Sequence, residues 1–134
     1  MKTSITVGAT TVVSLPDFGV KGLQARVDTG AATCALHASF VEFDEQESVL
    51  KVILFDPESD LYTGEELVFT DFVVRNVRNS FGKRMSRPMV KTKVRIAKET
   101  FEVLVGFSNR TKLTYDMLIG RNLLEQGFVV DVSK

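Results

Sequence analysis

A chain of 134 residues, 44% of them hydrophobic, is long and apolar enough to bury one core and excludes a disordered tract. No apolar run is long enough to cross a membrane as a helix, the first residues lack the apolar centre of a secretory signal, and a single cysteine excludes an internal disulfide. Seventeen basic and seventeen acidic residues cancel to a net charge of zero. The expectation is one domain over residues 1–134, cytoplasmic, with no membrane partner.

In chain order the pattern reads mostly as strand. "SITVGATTVVSL" and "GVKGLQARVD" are two predicted strands joined across residues 16–19, where Pro and Gly favour a turn. "TCALHASFVEF" and "SVLKVILF" follow as strands, then "DPESDLYTGEE" as a turn-rich connection. "LVFTDFVVRNV" is a further strand and "RNSFGKRMSRP" a basic loop. "MVKTKVRIA" alternates apolar and basic residues, which predicts one buried face and one cationic face. "TFEVLVGF" is a strand; "YDMLIGRNLLEQGFVVDV" holds a buried strand, a short helix on residues 121–126 and a last strand. The sum is an all-β small closed barrel with one short C-terminal helix.

The charges are sorted along the chain. Residues 41–71 hold ten acids and one base, Lys51; residues 72–98 hold nine bases and no acid. Either the two stretches neutralise each other in the fold, or the basic one forms a cationic surface for a polyanion. Nucleic acid fits poorly, because only Phe81 offers a stacking ring in the basic loop and the acidic stretch opposes phosphate.

One Asp stands inside an apolar run, in "ARVDTGAATCALHA". An Asx-type turn accounts for a lone D-T-G, with Gly30 permitting a close backbone approach and Thr29 lending a hydroxyl. Far downstream, "MLIGRNLLEQ" places two apolar residues and a Gly ahead of a short amphipathic helix. Together, "VDTGA" and "LIGRNLL" resemble the retropepsin-type aspartic proteases. More closely, "VDTGAATCALHA", "SNRTKLTYDMLIGRNLL" and "FVVDVS" resemble the retropepsin-like aspartic endopeptidase family of bacteria. Some of its members are encoded beside RimK-type glutamate ligases, and the family has been labelled an ATP-dependent zinc protease. Leu113 stands where its pattern has Met, and Val27 where it has Ile.

The resemblance implies a retropepsin-like fold and aspartic peptidase activity, with Asp28, Thr29 and Gly30 as the catalytic turn. Two carboxylates must share a proton in such chemistry, and this chain offers one D-T-G; a homodimer with one Asp28 per subunit is therefore required. In the family the final strand also joins the dimer sheet, which makes "FVVDV" a candidate interface strand. Ala31 would present backbone to substrate, and Asn109 and Arg110 match the family's N-R. His37 is either a buried imidazole bonded to backbone or a group that binds a substrate carboxylate or tunes the aspartate dyad. Cys34 is expected to pack in the core. Arg121 lacks its usual acidic partner, because Ala32 occupies that position; it would pair elsewhere, for example with Asp131, or face substrate. Arg84 and Arg87 fall in the mid-chain flap of the family and would attract acidic peptide. The substrate class implied is poly-α-glutamate or a glutamylated protein, with activity that falls as salt rises. The alternative is a catalytically silent dimeric β-barrel that binds acidic peptides or a protein partner. No cofactor is expected: one His and one Cys do not make a zinc site, and no phosphate-binding loop is present.

Overall fold

The computed structural model describes residues 4–78 and 82–134. Phe81, the ring of the basic loop, lies outside them. The strands are β1 (Ile5–Val7), β2 (Thr10–Leu15), β3 (Val20–Val27), β4 (Cys34–Asp44), β5 (Val49–Leu54), β6 (Glu66–Phe69), β7 (Val73–Arg78), β8 (Arg84–Ile96), β9 (Glu99–Ser108), β10 (Met117–Ile119) and β11 (Phe128–Val130). One short helix, α1 (Arg121–Leu124), precedes β11, and a 3-10 turn covers Pro16–Phe18.

Six strands close a barrel in the order β10-β3-β2-β8-β9-β4, and β4 returns to pair antiparallel with β10. Closure leaves no free edge in this part of the sheet. Its interior is filled by Leu15, Ala25, Leu36, Val94, Val105, Met117, Ile119 and Leu123, all fully or almost fully buried. β4 explains how one strand serves two surroundings. Its first half, Cys34–Ala38, sits between β9 and β10 and is buried at every position; beyond it the strand leaves the barrel and pairs with β5. On β8, Val90, Thr92, Val94 and Ile96 point inward while Lys91, Lys93 and Arg95 are exposed. That is the alternation expected from "MVKTKVRIA". Thr92, buried among apolar neighbours, donates its hydroxyl to Asp17 at 2.8 Å and so ties the 3-10 turn to the barrel.

The structure differs from the sequence reading at three places. "SITVGATTVVSL" is two strands, broken at Gly8, where any Cβ would collide with the Lys134 carbonyl. "LVFTDFVVRNV" divides into β6 and β7, because β6 pairs with β5 whereas β7 turns to pair with β8. Most of the expected basic loop is strand: residues 84–88 begin β8, and β7 and β8 form a long antiparallel hairpin. Its ladder pairs Arg75 with Arg87 and Arg78 with Arg84. A period-two pattern is hard to see there because polar and basic residues occupy both faces. β11 pairs in parallel with β1 of the same chain, so one edge of this candidate interface strand is already filled.

Candidate active site

The D-T-G turn emerges where β3 ends beside β10. Leu118 and Ile119 pair in parallel with Arg26 and Val27, and the Asp28 N–H then donates to the Ile119 carbonyl at 3.0 Å. The two motifs singled out in the sequence are thus adjacent strands of one barrel wall. Within the turn, Asp28 Oδ1 accepts the Gly30 N–H at 2.9 Å, and the Ala31 N–H donates to the Asp28 carbonyl at 3.2 Å. A Cβ at Gly30 would crowd Oδ1 at 3.2 Å, so glycine lets the carboxylate fold onto the turn. The Asx turn and the catalytic reading are compatible: Oδ1 holds the turn, and Oδ2 has no bonded partner among the described residues.

The helix is locked to this turn by backbone contact. The N–H groups of Arg121 and Asn122 donate to the carbonyls of Ala31 and Ala32, at 2.8 and 3.1 Å. Gly120 lies against the Thr33 backbone, with no room for any side chain. Arg121 donates from Nη1 to the Thr29 carbonyl at 3.1 Å. Asp131, the partner suggested for it, is instead bonded by the Ser133 N–H and hydroxyl. Asn122 is a residue that sequence reasoning missed. Its Oδ1 accepts the Cys34 N–H at 3.2 Å and lies 3.3 Å from Cys34 Sγ, while its Nδ2 donates to the Leu104 carbonyl at 2.9 Å. Cys34 is fully buried, and burial pushes its thiol up to about 11, so it is a neutral packing group that also accepts the Gly120 N–H.

A cleft of about 890 Å³ opens over the turn. Of the residues expected at the site, it gathers Asp28, Gly30, Ala31, Arg87, Asn109, Arg110 and Arg121. Thr29 is exposed beside it in the same turn. Arg84 is exposed but is not in the lining. Strand alternation puts Met85 and Arg87 on the cleft side of β8 and Arg84 on the other. The opposite strand contributes Arg75, directly across from Arg87. Arg75 was visible as one of the nine bases; only the hairpin register assigns it to the cleft. Arg87 is half-buried against Gly106, whose missing Cβ makes room for the arginine stem.

Arg110 is 9% exposed, and burial first, then the neighbouring Arg87, pull its guanidinium below the ordinary value; Asp116 and Asp28 act in the opposite sense. Burial also lowers Arg87. Neither arginine makes an ion pair among the described residues. The cleft therefore presents partly desolvated guanidinium groups that no acid pairs directly among the described residues, an arrangement that a bound anion would relieve.

His37 is not in the cleft. It is fully buried, which removes it from direct contact with a bound peptide. Its Nδ1 accepts the Arg110 N–H at 2.7 Å, so Nε2 carries the ring proton. Nε2 lies 2.9 Å from Asp56 Oδ1, close, though short of the alignment of a regular hydrogen bond. His37 chiefly, with Thr111 adding a hydrogen bond, holds the Asp56 carboxyl below its usual range. Among the described residues no group of three or more His, Cys, Asp or Glu is placed to hold a metal ion.

Residues 6–134 match the family described as "Retropepsin-like aspartic endopeptidase RimB". The chain is also 30% identical over 135 residues to a protein of Parasynechococcus marenigrum named "Probable alpha-L-glutamate ligase", and 24% identical over 128 residues to one of the same name from Desulfotalea psychrophila. These alignments take in 98% and 93% of the chain but only 28% and 27% of the relatives' length. Among solved structures, a protein of unknown function from Legionella pneumophila superposes with a TM-score of 0.73 at 22% identity, over 97% of this chain and 95% of that one. That likeness is one of fold. With "VDTGA" and "LIGRNLL" joined in one barrel wall and the family match spanning nearly the whole sequence, the chain belongs to the RimB-like family of retropepsin-like aspartic endopeptidases.

Proposed function

We propose that the protein is an aspartic endopeptidase that works as a homodimer and cleaves acidic, glutamate-rich peptide. The observation that carries the substrate class is the pairing of Arg75 with Arg87 across the β7–β8 hairpin, on the face that overhangs Asp28. Like charges directly opposite each other destabilise a hairpin. With Arg110 beside them they form a site that a carboxylate would relieve, and guanidinium groups can hold carboxylates in bidentate geometry. The names of the relatives point the same way, since a glutamate ligase makes glutamyl peptide bonds of the kind such a peptidase would cut.

The chemistry follows from a shared proton. Two Asp28 carboxyls facing each other cannot both ionise at close range, so one stays protonated. The ionised one takes a proton from water as it attacks the scissile carbonyl. The protonated one donates to the carbonyl oxygen, giving a tetrahedral diol; its collapse breaks the C–N bond as a proton reaches the leaving amine. The turn supports this by holding Asp28 through Gly30 and Ala31 while leaving Oδ2 available. The dimer reading is supported by the single D-T-G per chain and by apolar exposure near β11, where Val129 and Val132 are 50% and 83% exposed.

The test is incubation of wild type and Asp28→Asn with poly-α-glutamate, read by mass spectrometry. Cleavage by wild type, reduced about a thousandfold or more in the variant, is expected. Binding of oligo-glutamate with no turnover by either protein selects instead a silent barrel that binds acidic peptide.

A further inference from the structure

The segment that carries Arg110 into the cleft is fastened at both ends to one residue. His37 Nδ1 accepts the Arg110 N–H at 2.7 Å, and the His37 N–H donates to the Asp116 carbonyl at 2.7 Å. Between these points the loop folds on itself: Leu113 N–H donates to the Arg110 carbonyl, and Arg110 Nε donates to the Tyr115 carbonyl at 3.0 Å. Asp56 completes the arrangement from the far side. It faces His37 Nε2 at 2.9 Å and accepts the Thr111 hydroxyl at 3.2 Å. A neutral imidazole has one acceptor nitrogen. A carboxylate at Nε2 keeps the proton there, and Nδ1 stays free to accept. Were the tautomer reversed, two N–H groups would face each other at 2.7 Å in a buried site.

We propose that His37 and Asp56 are positioning residues: Asp56 fixes the His37 tautomer, His37 fixes the Arg110 segment, and Arg110 thereby holds a substrate carboxylate in the cleft. The proposal rests on the peptidase reading above, and it assigns the pair to substrate binding, with the chemical step left to Asp28. Neither residue touches peptide. Removal of the Asp56 carboxylate weakens the grip on an acidic side chain but leaves the bond-breaking geometry in place.

The experiment compares wild type, Asp56→Ala and Asp56→Asn on a glutamyl peptide and on the same peptide with Gln for Glu. Asn keeps an acceptor for Nε2–H and for Thr111, so it should rescue. The expected result is a KM for the glutamyl peptide raised about tenfold in Asp56→Ala, with kcat nearly unchanged, the glutaminyl peptide unaffected, and Asp56→Asn close to wild type. Equal losses on both peptides, a fall in kcat alone, or no rescue by Asn overturns the assignment. If wild type cleaves neither peptide, the peptidase reading fails by itself, and the positioning claim is read from the Arg110 backbone amide by NMR. Displacement of that signal in Asp56→Ala with restoration in Asp56→Asn supports it; an unmoved signal overturns it.

Discussion

Asp28, Cys34 and His37 stand within ten positions of each other, and burial separates their roles. Asp28 is partly exposed in the cleft, while Cys34 and His37 are fully buried. The thiol sits in a low-dielectric pocket that disfavours the thiolate, and its pKa rises from 9.0 to about 11. A raised pKa means the folded state holds its proton longer. The associated stability is present below pH 9 and is lost as pH climbs through about 11. The native protein at pH 8 should therefore resist iodoacetamide for hours and react within minutes in denaturant. Rapid modification of folded protein, read by intact mass, would refute a buried neutral thiol.

At the scale of elements, Asn122 decides how α1 meets the barrel. Its side chain bridges Cys34 on β4 and Leu104 on β9, two neighbouring strands, from the first turn of the helix. Asn122→Ala should cost about 2 kcal/mol, because it strands a backbone N–H and a carbonyl that are partly shielded from water. Equilibrium urea unfolding measures this, and a change below about 0.5 kcal/mol would show that water replaces the amide. The β7–β8 hairpin is the element where sequence reading was weakest. Arg84 and Arg87 look equivalent in "RMSRP", yet alternation sends one outward and the other into the cleft. The parity of a strand is legible only when apolar residues mark one face, and here an arginine stands on each face.

For the whole molecule, Arg75 and Arg87 of the basic stretch line the cleft and pair with no member of the acidic stretch among the described residues. Lys91 of the basic stretch pairs with Glu102, outside the acidic stretch, at 3.6 Å and well exposed. Such pairs contribute little. Arg75 and Arg87 of the hairpin instead face the cleft, which suits an acidic ligand. A shared dyad makes a quantitative prediction for mixed subunits. If wild type and Asp28→Asn are mixed equally and allowed to exchange, only dimers with two intact aspartates are active, about one quarter of the total. Independent monomers would keep about one half. Activity after subunit exchange distinguishes the two, and sedimentation reports the species present.

The barrel, its one helix and the D-T-G turn were determined by the sequence itself. Alternating apolar residues demand a buried face, Gly30 occurs where the Asp28 carboxylate folds onto the turn, and Gly120 occurs where the Thr33 backbone approaches closely. "VDTGA" and "LIGRNLL" could be paired as motifs, though their adjacency as β3 and β10 is a fact of barrel closure. Tertiary structure alone decided the rest. His37 is a buried post and not a ligand in the cleft because Phe55, Asp56 and the 109–116 loop contact it, and Arg75 joins the site because it stands opposite Arg87. Both depend on contacts between residues distant in the chain. Local pattern records which face a residue prefers, and only the fold determines what that face meets.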